Sequence, residues 1–510
     1  MSNRPAPIYA AASAAWLLVS CAVGPNFEQP KTANSTVYDS SEASAQAPPA
    51  IVQSPQAAAN DAARAPPANL KLDIGADVPA QWWQLFKSED LDHIVRLAIN
   101  DNPTLESARA TLAEAREAVT VARAGYLPHL AATAGVQRSG AGAASSSTGA
   151  GVQRSGVGAA ASTDYSLGLS ASYSFNAFGG ATRRLVEQQQ ALADTQRYEL
   201  AAAYLTLTGG VVTQALTIAS ARLQIATTLE LLADDQKNLD LTIRMFDVGA
   251  AARTDVLTAE SQLATDEASL PTLRQQLSVA RHALAVLVGH GPAEWSAPDF
   301  ELGQFTLPAA VPVSLPSTLL RQRPDILAAE QQLHAASAGI GIAVANEYPS
   351  ITLSGDLTRD ALTAANLFHD FERLWSVGGA LTQPIFEGGA LRAQSRAARD
   401  AFAAQADAYR EVVLTAFGQV ADSLRALEHD EDRVAAFRHA LRIAGDSLAL
   451  QRISYAAGKT TVLQLIDAER TYSQVMLGMA SAQVQQFEDA ANLLVAVGGG
   501  WWNTSIAPAG

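Results

Sequence analysis

The chain has 510 residues and repeats itself once along its length. Residues 181–289 align with residues 390–498 at a constant offset of 209, so that Gly249 coincides with Gly458. A register that holds over so long a stretch without a gap is typical of a duplicated supersecondary unit. Any fold proposed for this chain must therefore contain the same unit twice.

Upstream of residue 181 the two copies align with a larger offset of 221, which pairs Pro103 with Pro324. The extra residues trace to the hexapeptide Gly-Val-Gln-Arg-Ser-Gly, which occurs at 135–140 and again at 151–156. The region 135–162 is rich in Gly, Ala and Ser, a composition that favours a flexible, exposed loop. We interpret it as an insertion in the first copy, without a role of its own.

Each copy predicts the same order of elements: a helix, a proline, two strands, a very long helix, a turn and a returning helix. Residues 181–246 and 390–455 contain no proline and carry apolar residues at heptad spacing, which predicts coiled-coil-like helices. Roughly 66 residues of helix extend about 100 Å. The uncharged window 200–221 is long enough to cross a membrane, but its threonines and paired glycines favour a packed helix.

The predicted strands alternate apolar residues with small or polar ones. In the first copy, Tyr165, Leu167, Leu169, Ala171 and Tyr173 share one face, and residues 351–357 and 375–381 repeat the pattern. A membrane barrel and a half-buried soluble sheet both fit this alternation. Four strands cannot close a barrel, which needs about eight. A membrane barrel would therefore require an oligomer, with eight strands in a dimer or twelve in a trimer.

The N-terminal residues have the pattern of a secretory signal. An apolar run ends in Leu18-Val19-Ser20-Cys21, which resembles the lipobox of bacterial lipoproteins, and Cys21 is the single cysteine of the chain. The alternative is a buried cysteine without a role. We predict that Cys21 becomes an acylated N-terminus and that the protein is sorted to the outer membrane.

Composition excludes several classes of function. The 35 basic and 50 acidic side chains give a net charge of −15, and the basic residues are scattered, which argues against nucleic-acid binding. With one cysteine and no two histidines at helical spacing, we expect no metal site and no cofactor beyond the covalent lipid on Cys21. No GxSxG, P-loop or GxGxxG motif occurs, so we expect no enzyme activity.

Several motifs together resemble the TolC-like outer-membrane efflux proteins, in particular their NodT-type lipoprotein branch. They fall in the family's order over residues 16–502: Trp82-Trp83 with Phe86, Asn102-Pro103, Leu127-Pro128, Leu315-Pro316-Ser317, Arg323-Pro324-Asp325-Ile326, Tyr348-Pro349-Ser350, Pro384 to Gly389, and Gly498-Gly499-Gly500-Trp501.

The resemblance implies a mainly α fold with membrane β-strands: long helices in two tandem repeats and four barrel strands per chain. Three chains would form a twelve-stranded barrel in the outer membrane and a large periplasmic tunnel. Such a homotrimer is the exit duct of a tripartite pump, and its partners are a periplasmic adaptor protein, an inner-membrane transporter of the RND type and outer-membrane lipid.

The repeat and the motifs together predict the organisation of the chain. In order, it contains a signal peptide at 1–20, a lipidated tether at 21–78, the first repeat at 79–289, a linker at 290–314, the second repeat at 315–498, and a tail at 499–510.

The resemblance also implies a periplasmic gate at the helix tips and adaptor contacts at the turns of Gly249 and Gly458. Counted from these glycines, the gate positions hold Tyr455, Asp255, Asp467 and Gln464. In the family the tyrosine bonds the aspartate that follows the first turn. Thr460 occupies the place of an arginine that locks some members. The alternative for either aspartate is a solvated carboxylate at a helix start, where the helix dipole favours it.

Two classes of function remain open from the residues alone. One is the efflux duct, and the other is a non-conducting periplasmic lipoprotein that acts as a coiled-coil spacer or assembly factor. The strand segments distinguish the two, because a spacer does not need apolar and small residues to alternate in four places.

Overall fold

The computed structural model describes residues 24–30, 71–139, 162–176, 180–308, 310–314, 316–369 and 372–503. Cys21 and the predicted signal peptide lie outside these residues, as do most of the predicted tether and most of the interpreted insertion. The described residues form two compact units. The sheet unit is drawn from residues 24–29, 114–194 and 331–407, and the helical unit from residues 71–113, 195–330 and 408–503.

The helices of the described residues confirm the predicted order of elements. They are α1 Glu89–Asp101, α2 Pro103–Ala124, α3 Gly180–Asp247, α4 Arg253–Glu267, α5 Leu270–Val288, α6 Pro316–Gln322, α7 Pro324–Ala345, α8 Asn366–His369, α9 Ala390–Ala456 and α10 Val462–Ala496. The long helices α3 and α9 have 68 and 67 residues, within two of the expected length.

The first returning helix differs from the prediction because it is broken into α4 and α5. The break falls at Ala268 and Ser269, just before Pro271. Proline lacks a backbone N–H and is tolerated only in the first turn of a helix, so it starts α5 instead of continuing α4. The second returning helix, α10, has no proline and is continuous over 35 residues.

Six strands lie in two sheets of the described residues. They are β1 Lys71–Ile74, β2 His129–Ser139, β3 Ser162–Asn176, β4 Ala310–Val313, β5 Ser350–Ala361 and β6 Glu372–Thr382. The four long strands, two from each repeat as predicted, form one antiparallel sheet in the order β2-β3-β5-β6. Strands β1 and β4 form a short parallel pair in the helical unit, and β1 lies inside the segment predicted as a tether.

The register of the four-stranded sheet separates an apolar face from a polar one. Leu169, Leu357 and Trp375 stand directly opposite one another, and the neighbouring row holds Ser170, Asp356 and Ser376. Trp375 is 76% exposed on the apolar face. An exposed row of large apolar side chains is the pattern of a strand that faces lipid.

The core of the helical unit is formed by the aromatic residues at the beginning of the first repeat and by the apolar faces of α3 and α10. Trp82, Trp83 and Phe86 are buried together, and Leu216 and Leu493 are fully buried among them. Helix α3 is long and apolar enough to cross a membrane, but in the described residues much of its apolar window is buried. The prediction of a packed helix is confirmed.

The residues that follow the predicted lipid site are docked on the sheet unit. The buried Arg184 guanidinium donates to Asn26 Oδ1 at 2.9 Å and to the carbonyl of Gly24 at 3.3 Å. The ring of Phe27 stacks on His334 with 4.4 Å between centroids. Helices α3 and α7 thus hold residues 24–27 by side-chain contacts.

Candidate functional site

Both hairpin turns have the same hydrogen-bonded geometry. Gly249 has φ +75° and Gly458 has φ +68°, the left-handed conformation that glycine adopts without a steric cost. The N–H of each glycine donates three residues back, and the following N–H donates five residues back, to Met245 or Ser454. This is the Schellman motif, which satisfies the last carbonyls of α3 and α9. The turns therefore end both long helices abruptly at the same point of each repeat.

The structure places Tyr455 and Asp255 near each other. The Tyr455 hydroxyl donates to Met245 Sδ at 3.0 Å, and the Asp255 carboxylate accepts from the Ala252 N–H at 2.9 Å. Burial raises the pKa of Tyr455; the charge of Asp255 adds to this rise, and a hydrogen bond with Thr242 opposes it. The bond between Tyr455 and Asp255 stays a prediction, since within the chain each side chain has another partner.

Helix α10 presents the other two predicted gate residues on its first turns. Gln464 and Thr461 form a reciprocal cap: Gln464 Oε1 accepts from the Thr461 N–H at 3.1 Å, and Thr461 Oγ1 accepts from the Gln464 N–H at 3.4 Å. Asp467 is exposed one turn further along. Its side chain is available to a neighbouring molecule or to a narrow aqueous passage.

An ion-pair network that the sequence did not indicate joins three helices below the turns. Arg452 of α9 donates to Glu469 of α10 at 3.1 Å and to Asp234 of α3 at 2.8 Å. Asn238 of α3 also donates to the buried Glu469 carboxylate. Burial lowers the pKa of Arg452, but hydrogen bonds and charges from Glu469 and Asp234 outweigh it, and the net pKa is raised. This network ties the first hairpin to the second.

The same four residues line a groove of about 570 Å³ that also reaches Tyr455 and Gly458. One part of the groove is lined by the charged residues and another by apolar residues that include Leu241 and Leu465. Polar and apolar groups therefore lie side by side next to the turns. Apolar groups beside charged ones are also the composition of protein–protein contact surfaces, with an apolar centre and a polar rim.

Two buried carboxyl pairs lie further from the turns. Asp235 faces Asp266 and Asp430 faces Asp489; Asp235 and Asp430 are each 5% exposed. Asp235 lies 14 residues before Gly249 and Asp430 lies 28 before Gly458. The partners follow the turns by 17 and 31 residues, so both pairs occupy one seam position, two heptads apart.

Each pair holds one carboxyl in its protonated form over much of the ordinary pH range. Burial raises the pKa of Asp235 to about 7, and the hydrogen bond with Asp266 and the charges of Asp266, Glu469 and Asp234 add to it. Burial raises the pKa of Asp430 to about 7 as well, with the hydrogen bond and charge of Asp489 acting in the same direction and Arg433 against it. Two carboxyl groups can share a hydrogen bond only while one of them carries a proton.

Comparison with known proteins identifies the family. The outer membrane efflux protein family matches residues 94–290 and 315–499. The chain belongs to this family. Nodulation protein T of Rhizobium leguminosarum bv. viciae is 29% identical over 439 residues, which cover 86% of this chain and 88% of that protein. The pyoverdine export outer membrane protein OpmQ of Pseudomonas aeruginosa is 30% identical over 424 residues, which cover 82% of this chain and 87% of that protein.

The fold has a solved counterpart of the same kind. The outer-membrane channel OprN superposes with a TM-score of 0.80 at 27% identity, covering 94% of this chain and all of that structure. The predicted TolC-like fold, the family and the location in the outer membrane are confirmed. The chain is the outer-membrane channel of an efflux pump, which decides between the duct and the spacer that the residues alone left open.

Proposed function

We propose that three copies of this chain assemble into a twelve-stranded barrel and serve as the exit duct through which a tripartite pump exports small molecules. The observation that carries the proposal is the four-stranded sheet. Among the described residues β2 and β6 each have one neighbouring strand, so the sheet has two open edges and one apolar face. In lipid an open edge is not tolerated, because its N–H and C=O groups find no partner.

The position of the two turns supports the proposed pump partners. Gly249 and Gly458 lie at the ends of the long helices, where a periplasmic adaptor protein can contact both hairpins. The mixed groove beside Gly458 supports contact with a protein. An inner-membrane transporter of the RND type then supplies the energy, and the duct itself catalyses no reaction and needs no cofactor.

The gate is proposed at the start of α4 and α10. In the trimer, three copies of Asp467 converge with Gln464 at the constriction, while Tyr455 and Asp255 link neighbouring hairpins. Because Thr460 replaces the family's arginine, closure rests on Tyr455 and on the network of Arg452. A duct held in this way has a looser resting gate than an arginine-locked one.

A covalent lipid on Cys21 anchors the N-terminus in this proposal. The docking of Gly24 and Asn26 on Arg184 supports it, because those contacts hold the chain within three residues of Cys21 on the sheet unit. Three residues span at most about 11 Å. The acyl chains would therefore enter the membrane beside the sheet.

Native mass spectrometry in mild detergent, followed by planar-bilayer recording, tests the proposal. We expect a trimer, and we expect that trimer to produce discrete conductance steps. A monomer whose far-ultraviolet circular dichroism shows folded helices would contradict the trimeric barrel, and a trimer that conducts no ions would contradict the duct.

A further inference from the structure

The charged residues of the four-stranded sheet are sorted by face. Arg138, Arg359 and Arg373 occupy the apolar face, in line with residues such as Val136, Leu357 and Trp375. The aspartates of these strands take the polar face: Asp164, Asp356 and Asp360. The Ser376 hydroxyl donates to Asp356 at 3.2 Å, which fixes that carboxylate on the polar side.

The three arginines also share one end of the sheet. Each lies within two residues of the strand end remote from the helices: Arg138 before Ser139, Arg359 before Ala361, and Arg373 at the start of β6. The helices α2, α3, α7 and α9 join the strands at the opposite end. Since the helices lie on the periplasmic side, the arginines lie on the outer side of the membrane.

The apolar rows set the depth of the arginines in the membrane. From Leu381 to Trp375 the apolar face of β6 runs six residues, about 20 Å along the strand; at a barrel tilt of about 40° this is roughly 15 Å of height, more than half of an apolar band about 25 Å tall. Arg373 follows Trp375 by one step on the same face. An arginine facing lipid costs about 2–4 kcal/mol at the bilayer midplane and about 0–1 kcal/mol near the interface, which agrees with a headgroup position.

Two of the arginines form a pair with a defined geometry. Arg359 and Arg373 stand directly opposite each other in the antiparallel register, next to Leu167. Directly opposed side chains have Cβ atoms about 5 Å apart, so the two guanidinium groups are close enough to bind one group together. A phosphate group beside them can accept hydrogen bonds from both guanidinium forks.

We propose that Arg359 and Arg373, with Arg138 further out, form a binding site for the phosphate groups of a glycolipid in the outer leaflet. The proposal rests on the trimeric membrane barrel proposed above. It accounts for the separation of arginines and aspartates onto opposite faces of the sheet. Arginines that served only solubility would be expected on the polar face as well. The aspartates on the other face keep the same phosphate-bearing lipid out of the duct.

Native mass spectrometry of the purified trimer tests the site. The probe is bis-phosphorylated lipid A, added in the presence of a chelator so that divalent cations cannot bridge the phosphates. We expect the amount of lipid A retained by the double variant Arg359→Gln/Arg373→Gln to be about one fifth of the native amount or less. The matched control is Arg399→Gln, an exposed arginine of α9 outside the strands, and it should retain the native amount.

Two further probes define the ligand. Dephosphorylated lipid A should bind native protein and double variant equally weakly, and phosphatidylglycerol should bind more weakly than lipid A. Equal retention of lipid A by the double variant, or equal binding of the phosphate-free lipid by the native protein, overturns the site. Phosphatidylglycerol binding as strong as that of lipid A overturns the assignment to the glycolipid. The same spectra report the trimer, so a trimer without phosphate preference refutes this inference alone.

Discussion

Folding strongly changes the chemistry of two aspartates among the described residues, Asp235 and Asp430. Each is a carboxyl group in the seam of a helical hairpin, buried opposite another carboxyl group. A seam position normally holds an apolar side chain, and a polar pair there makes the hairpin depend on a proton. The helical hairpins therefore carry a pH dependence that α3 and α9, taken as isolated helices, would lack.

Replacing Asp235 by asparagine should remove part of this pH dependence. The pKa of Asp235 rises from 3.8 to about 7 on folding, so between those values the folded protein holds a proton that the unfolded chain has lost. Stability thus falls as pH rises from about 4 to about 7, by about 1.4 kcal/mol per pH unit for each such proton. We expect the thermal midpoint of the helical circular dichroism to be lower at pH 8 than at pH 5.

In Asp235→Asn the difference between the two pH values should shrink, while Asp247→Asn, an exposed aspartate near the end of the same helix, should keep the native difference. An unchanged pH dependence in Asp235→Asn would show that the buried pair does not carry the proton.

The gate residues give the second residue-scale prediction. Tyr455→Phe removes a hydroxyl whose hydrogen bond is worth about 1 kcal/mol, so the open-to-closed ratio should rise roughly fivefold. Asp467→Ala should weaken the preference for cations, since it removes three carboxylates from the proposed constriction. Single-channel open probability and reversal potential under a salt gradient measure the two effects.

Tyr409→Phe and Asp446→Ala are the matched controls, since they change the same residue types on α9 outside the cluster of Tyr455. If the gate variants behave like these controls, the constriction lies elsewhere along the duct.

At the scale of the elements, a glycine turn terminates each of the two long helices. Gly249 and Gly458 have no atoms within 4 Å of an added Cβ, so the conformation alone demands glycine there. The repeat preserves both the glycine and its hydrogen bonds at equivalent positions. The turn is thus the element that fixes where each hairpin ends.

Substituting alanine at Gly458 should destabilise the protein by about 1–2 kcal/mol, because φ +68° is costly for a residue with a Cβ. Gly418 offers an internal comparison: it lies inside α9, also without atoms within 4 Å of an added Cβ. Gly418→Ala should stabilise by about 0.5–1 kcal/mol, since glycine is costly inside a helix. The two thermal midpoints should shift in opposite directions, and a shift in the same direction would contradict the left-handed turn.

For the whole molecule, the two repeats are alike in order but unequal in detail. The first carries the glycine-rich insertion and a returning helix broken before Pro271, whereas the second has a continuous α10. A sheet of four strands with two open edges then leaves assembly to neighbouring copies. In the proposed trimer, insertion into the membrane and assembly are therefore coupled, and the proposed lipid anchor would promote both by bringing copies to the same membrane.

The anchor prediction belongs to this scale. Cys21→Ser should abolish palmitate labelling and slow assembly in the outer membrane, while leaving the helical circular dichroism unchanged, because an acyl chain acts on membrane binding and not on core packing. Glu28→Ala, an exposed change in the docked segment, serves as the control. A native protein that carries no lipid on residue 21 would refute the anchor.

Much of the fold and part of the candidate site could be predicted from the sequence. The repeat located the turns at Gly249 and Gly458, because a repeat and a turn are local patterns, whereas the gate positions counted from these glycines come from the family resemblance and stay a prediction. The same counting along the heptad seam could have found Asp235 opposite Asp266. Nothing local could have indicated Arg452, whose partner Asp234 is 218 residues away.

The sequence by itself determined the duplicated unit, the lengths of α3 and α9 and the two faces of the barrel strands, since periodicity and the absence of proline act over a few residues. Only the tertiary structure decided the pairing of β1 with β4, the docking of Asn26 on Arg184 and the shared protons of the carboxyl pairs. Those features depend on which distant segments meet and on the burial that results. Neither is encoded in any single stretch of the chain.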